Sequence, residues 1–200
     1  MVGRQNSRCN KARPPGHYLN WSREITPVPS SGANRDDLYQ EVTVEYGRAL
    51  GRLAQAYEAD PDRRQDLLQE IHLEVWKSLE LYQARCALRT WVYRVAHNTA
   101  ARYVLRRFRS KPEALMSLEE IATLSERHNA KDTGQEVLKQ LMEFIHLLKP
   151  PDRQLLLLYL EGLDTESIGE IIGLSPGNVR TKIHRLKAIL ARKFHEGSPA

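Results

Sequence analysis

Leu38, Val42, Tyr46, Leu50, Leu53 and Tyr57 recur at steps of three and four residues, which lays one apolar stripe along a helix from Asp37 to about Ala59-Asp60-Pro61. A second stripe of Leu67, Leu68, Ile71, Val75 and Leu79 predicts the next helix, with Asp66, Gln69, Glu70, Lys77 and Glu80 on its outer side. After a short loop, Tyr82 to Leu88, a third helix is predicted from Arg89 to Phe108, burying Trp91, Val92, Val95, Ala96 and Val104. The period breaks between Ser110 and Gly134, although Leu115, Leu118, Ile121 and Leu124 fit one short helix. It returns at Val137, Leu138, Leu141, Ile145 and Leu148, stops at Pro150-Pro151 and resumes over Asp152–Leu160; Gly162, Gly173 and Ser175-Pro176 then punctuate two further helices. No alternating strand pattern and no solenoid repeat interrupts this series.

The expected architecture is therefore all-α: two small helical domains, residues 37–109 and 135–196, joined by a linker at 110–134. Residues 1–36 hold Pro14-Pro15-Gly16, Pro27, Pro29 and Ser30-Ser31-Gly32 without a sustained period, and are expected to be a flexible basic tail; residues 197–200 form a second, short one. A chain of 200 residues is long enough for two small cores.

Charge changes this picture by its distribution. The net charge of +5 comes from 30 basic and 25 acidic residues, but residues 1–35 alone carry six basic groups against Glu24. The rest of the chain balances, so what matters is segregation: residues 58–80 hold seven acids against three bases, and residues 85–111 hold eight Arg or Lys and no acid. No run approaches the roughly 18 apolar residues that span a bilayer, and no apolar segment follows the N-terminal basic residues, so membrane insertion is not expected and the chain should stay in the cytoplasm where it is made. Cys9 and Cys86 lack the close Cys/His spacing of a zinc site and read as ordinary thiols of a reducing compartment. No metal or other cofactor is called for. His72, His97 and His184 lie on helices without a partnered nucleophile, a glycine-rich phosphate loop or paired carboxylates, so an enzyme is not expected.

Two constellations carry chemistry. The segment Leu160–Phe194 has the parts of a helix-turn-helix: a short helix Thr165–Ile172, a turn at Gly173-Leu174, and a longer helix with Ser175 as N-cap and Pro176 at its first position. With Val179, Ile183, Leu186 and Leu190 buried, the second helix turns Asn178, Thr181, His184, Arg185 and Ala188 outward and keeps Arg180, Lys182 and Lys187 on its flanks. Such a helix offers amide, hydroxyl and guanidinium groups to base edges while cations hold phosphates. On the third helix Arg94, Asn98, Arg102 and Arg106 recur every four residues in one polar row. Like charges at that spacing repel, and a polyanion or unpaired bases would supply the compensation.

The run DLLQEIHLEVWKSLELYQARCALRTWVYRVAHNTAARYVLRR, residues 66–107, resembles region two of bacterial RNA polymerase sigma factors, and LKPPDRQLLLLYLEGLDTESIGEIIGLSPGNVRTKIHRLKAIL, residues 148–190, is similar to their region four. The short intervening linker places the resemblance with the small two-domain, extracytoplasmic-function class. It implies an alternative sigma factor that docks on the clamp helices and the flap of core RNA polymerase, acts on promoter DNA, and is held in check by an anti-sigma factor. Carried over residue by residue, Asp66, Gln69 and Glu70 would face the polymerase. Arg85, Arg89, Arg94, Asn98, Arg102 and Arg106 would take the melted minus-ten strand, and Ser175, Asn178, Arg180, Thr181, Lys182, His184, Arg185 and Lys187 the minus-thirty-five duplex. The loop Gln83-Ala84-Arg85-Cys86-Ala87 is less polar than the family's usual version, and the basic tail lies outside the family core. The competing expectation is a helix-turn-helix regulator that binds an operator without replacing sigma; it would have no use for the acidic helix and the arginine row.

Overall fold

Asp60 and Pro61 mark one helix boundary by simple chemistry. The Asp60 carboxylate accepts the backbone N–H groups of Asp62 and Arg63, and Pro61 fills the first helical position, where no N–H is needed. In the computed structural model, which describes residues 35–110, 115–123 and 134–194, this boundary separates α1 (Arg35–Tyr57) from α2 (Pro61–Leu79). The chain continues through α3 (Leu88–Arg107), a 3-10 turn at Phe108–Ser110, α4 (Leu118–Thr123), α5 (Gly134–Leu147), α6 (Pro150–Leu160), α7 (Thr165–Ile172) and α8 (Pro176–Phe194). Among the described residues there is no strand, only an isolated bridge between Met116 and Leu148, and no helix long and apolar enough to cross a membrane. The expectations for the tails, for Cys9 and for Leu124 lie outside the described residues.

Arg35 and Asp36, which precede the expected start, already belong to the first helix, where Arg35 lies over the Trp76 ring of α2 and Trp76 Nε1 donates to Asp36. Three helices, α1 to α3, pack on one another around Val42, Leu50, Leu67, Ile71, Val75, Val92, Ala96 and Val104, all fully buried. Each aliphatic side chain removed from water at this density contributes about 1.5–3 kcal/mol. Val95 is only partly buried, since α3 turns its alanines inward. At the far end of α1 the buried Glu58 carboxylate accepts from Tyr103 Oη (2.8 Å), from Arg107 and from the Asp60 N–H (3.0 Å), which ties α1 to the last turn of α3.

The second group of helices, α5 to α8, holds Ile145, Leu155, Leu158, Ile168, Ile172, Val179 and Leu186. Arg153, at 1% exposure, donates to the Leu148 carbonyl at 3.0 Å, supplying a cation to the end of α5. The segment 115–118, expected to be linker, is tied in: Met116 accepts from Lys149 N–H and donates to the Leu147 carbonyl, both at 2.8 Å. Ser117 and Glu120 then cap each other's backbone groups and start α4. The two groups share one apolar cluster, because α3 packs on α6 and α7 and α5 packs on α1.

Candidate nucleic-acid and polymerase interface

The helix-turn-helix is shaped by three residues. Gly173 ends α7 with φ +76°, the left-handed conformation that a side chain disfavours, and the carbonyl of Gly169 accepts from the N–H groups of Gly173 (2.9 Å) and Leu174 (3.1 Å). Gly169 itself lets that turn close, since a Cβ there would meet the Leu174 carbonyl oxygen at 2.6 Å. Ser175 Oγ accepts the N–H of Asn178 at 3.3 Å and opens α8. Its buried stripe is Val179, Ile183, Leu186 and Ile189; Leu190, expected in that stripe, is only partly buried because the last step runs three residues and not four.

Asn178, Arg180, Thr181, His184, Arg185 and Lys187 share the exposed side of α8 with the cap residue Ser175. Thr181 Oγ1 donates to the Gly177 carbonyl at 3.1 Å, Arg180 stands 3.9 Å from Glu166, and Lys187 lies over the Tyr159 ring. Arg185 donates to Glu119 of α4 at 3.0 Å. Glu119's own backbone N–H, and then Lys182 and Arg185, hold its carboxyl below the usual range. Lys182 differs from the rest. Its ammonium bonds to the buried Asp152 carboxylate at 2.7 Å, and the other oxygen of that carboxylate accepts the Leu118 N–H at 3.0 Å, so Lys182 sets the orientation of α8 on α6 and α4.

The α3 row is present as a geometric feature, but its charge is compensated from within the chain. Arg106 reaches both oxygens of Glu70 (3.0 and 2.9 Å), Arg102 stands 3.5 Å from Glu74, and Arg94 donates to the Glu170 carbonyl of α7 at 2.9 Å. The expectation of an external polyanion is thus met here by three of the chain's own acceptors. Asn98 is half-buried and lines an apolar cavity of about 200 Å3 with Arg102, Leu105, Pro150, Pro151 and Gln154. Arg89 donates to the Glu161 carbonyl at 3.0 Å and lies over Tyr93, while Arg85 is exposed in the loop beside Ala84, whose φ of +53° is left-handed.

On α2, Asp66 and Gln69 are exposed and Glu70 is partly covered by its bond to Arg106. Leu73 lies on the same face at 49% exposure, a residue that the periodic pattern marked neither as core nor as surface chemistry. Two histidines serve the fold: His72 is hydrogen-bonded to Tyr39 Oη at 3.0 Å, and His97 is buried against Tyr57, with burial pushing its pKa down to about 3. It is therefore neutral near pH 7.

Residues 43–110 match the family model for sigma-70 region 2, and residues 138–190 match that for sigma-70 region 4. The chain is similar to the ECF RNA polymerase sigma-E factor of Haemophilus influenzae, 29% identical over 64% of this chain and 73% of that one. It is likewise similar to the RNA polymerase sigma-H factor of Pseudomonas aeruginosa, 25% identical over 73% of this chain and 80% of that one. In fold it matches the sigma factor RpoE, solved in complex with the anti-sigma factor NepR from Bartonella quintana, with a TM-score of 0.55, 17% identity and coverage of 78% of this chain and 95% of that one. With both regions matched in order, and each falling on the helices that carry the α3 row and the helix-turn-helix, the chain belongs to the sigma-70 family, among its extracytoplasmic-function members.

Proposed function

We propose that this alternative sigma factor docks on core RNA polymerase through the outer face of α2, captures the melted minus-ten strand along α3 and reads the minus-thirty-five element with α8. In this reading residues 37–109 and 135–196 are the two working domains, 110–134 is the link between them, and an anti-sigma factor controls their release. The protein works by binding and not by catalysis, in the compartment where polymerase and promoters are. The observation that supports this most strongly is that one three-helix unit carries an exposed face on α2 beside the polar row of α3. Exposed Asp66 and Gln69 with Leu73 line one side, and Arg94, Asn98, Arg102 and Arg106 line the neighbouring helix. An operator-binding repressor needs the second domain alone.

Asp66→Arg tests the docking face most cleanly, because Glu70→Arg would also set a cation against Arg106. Asp66→Arg should lower affinity for core polymerase about tenfold in a pull-down titration, while an exposed substitution of this kind changes stability by only about 0.5 kcal/mol. Parental affinity for core polymerase in the folded variant would remove α2 from the interface.

A further inference from the structure

The segment that leads into the second domain does more than join it. Leu115, Leu118 and Ile121 are buried in the apolar cluster. Met116 exchanges backbone hydrogen bonds with Leu147 and Lys149, both at 2.8 Å. The Leu118 N–H donates to Asp152 at 3.0 Å, and the Lys149 ammonium reaches Glu120 at 2.9 Å. All of these polar partners lie in α4 to α6, so α4 is a fixed shelf beside α8 whatever the first domain contacts.

From this shelf the Glu119 carboxylate accepts from Arg185 Nη1 at 3.0 Å, with the two side chains 50% and 56% exposed. One turn earlier on α8, Lys182 bonds to the same Asp152 carboxylate that holds the start of α4. Sliding α4 along α8 would therefore break a charge-assisted bond to a buried acid.

An arginine on an exposed helix face samples many rotamers, and losing that freedom weighs against binding. A fixed carboxylate on Nη1 removes much of that freedom before DNA arrives. It also decides which edge of the guanidinium remains. The group carries five N–H donors in one plane, and with Nη1 taken the remaining parallel pair is Nε–H with Nη2–H. Two parallel donors match guanine, which presents O6 and N7 side by side in the major groove. Adenine sets a donor beside its N7, thymine a methyl group beside its O4, and cytosine a donor alone. A fork held in place meets those bases with one donor unsatisfied, whereas an unrestrained arginine can turn to a single acceptor or to a phosphate.

Resting on the proposed reading of the minus-thirty-five element by α8, we propose that Glu119 is a specificity-determining positioning residue, which holds Arg185 so that its Nε/Nη2 edge reads one guanine of that element.

The test assembles the full chain with core polymerase and equilibrates it with duplex promoter fragments randomised over the minus-thirty-five element, after which the bound fraction is sequenced. The parent should prefer guanine at one position that Arg185→Ala renders indifferent. Glu119→Ala should lower that guanine preference about five- to tenfold and leave the other positions as they are. Glu119→Gln, whose amide oxygen still accepts, should recover part of the preference. Adding Glu119→Ala to Arg185→Ala should change nothing further at that position. A guanine preference that survives Glu119→Ala but not Arg185→Ala would overturn the role of Glu119 and leave the reading by α8 intact. So would a change that is equal over all sequences, since that is the mark of a general electrostatic or structural effect. If Arg185→Ala alters no base preference, the reading by Arg185 itself falls, and the role of Glu119 falls with it.

Discussion

Gly169→Ala is expected to unseat the helix-turn-helix and cost on the order of 1–3 kcal/mol, the range for forcing a methyl group into a filled site. The added Cβ would stand 2.6 Å from the Leu174 carbonyl oxygen, a backbone atom that cannot rotate away. Relief requires either α7 to slide along α8 or the turn at Gly173 to reopen, and the turn is where Gly169 accepts two backbone N–H groups. A control distinguishes this from a general effect of losing glycine. Gly177, in the first turn of α8, has nothing within 4 Å of the Cβ position, so Gly177→Ala should be neutral or stabilising, by up to about 1 kcal/mol. Urea unfolding followed by circular dichroism separates the two substitutions. Equal midpoints would show that the close approach of α7 to the turn does not hold the reading helix. The folded fraction of Gly169→Ala should also bind minus-thirty-five duplex more weakly, because the outward side chains of α8 are aimed by this packing.

The double substitution Asn98→Ala/Arg102→Ala is expected to produce the largest functional loss. Open-complex formation, followed as permanganate reactivity of unpaired thymines, should fall roughly thirty- to several-hundred-fold. That corresponds to about 2–4 kcal/mol for one amide and one cation removed from the captured strand. Neither residue is among the fully buried core groups, and Arg102 reaches only Glu74 and Thr99. The fold and polymerase docking should therefore survive. Promoter DNA already melted over the minus-ten element should restore part of the activity, since the unstacking cost of a few kcal/mol no longer falls on α3. If the double variant opens promoters as fast as the parent, α3 does not take the melted strand.

What could be read from the chain alone divides along a physical line. Features set by near neighbours were legible: Asp60-Pro61 at the start of α2, Ser175-Pro176 at the start of α8, Gly173 at the end of α7, and the apolar stripes that place α1, α2 and α8. So was the order of a region-two-like segment followed by a region-four-like helix-turn-helix, which the matches to sigma-70 regions 2 and 4 bear out. Features set by distant partners were not legible. A three- or four-residue period says that a face is apolar, but not which surface will cover it, so the docking of α6 and α7 on α3 could not be read from the pattern. Arg89 and Arg94 therefore looked like open cations, although their acceptors lie 72 and 76 residues away on Glu161 and Glu170. Lys182 likewise resembled its neighbours on α8 until Asp152 was found beneath it. Arg153 and Glu58 sit beside or within apolar stretches as charges without a visible reason, and that mismatch was the available signal for buried polar anchors. Gly169 gave a fainter signal, a glycine inside a short helix pattern, which usually has a packing cause.

The most direct test is run-off transcription from promoter-bearing genomic fragments of the source organism, with core polymerase lacking any other sigma factor. The account predicts transcripts with defined start sites only when this chain is added, and selective capture of those promoters only in the presence of polymerase. Tight, sequence-specific binding to duplex DNA by the chain alone, with no transcript at any addition of core polymerase, would contradict it and make the helix-turn-helix an operator reader.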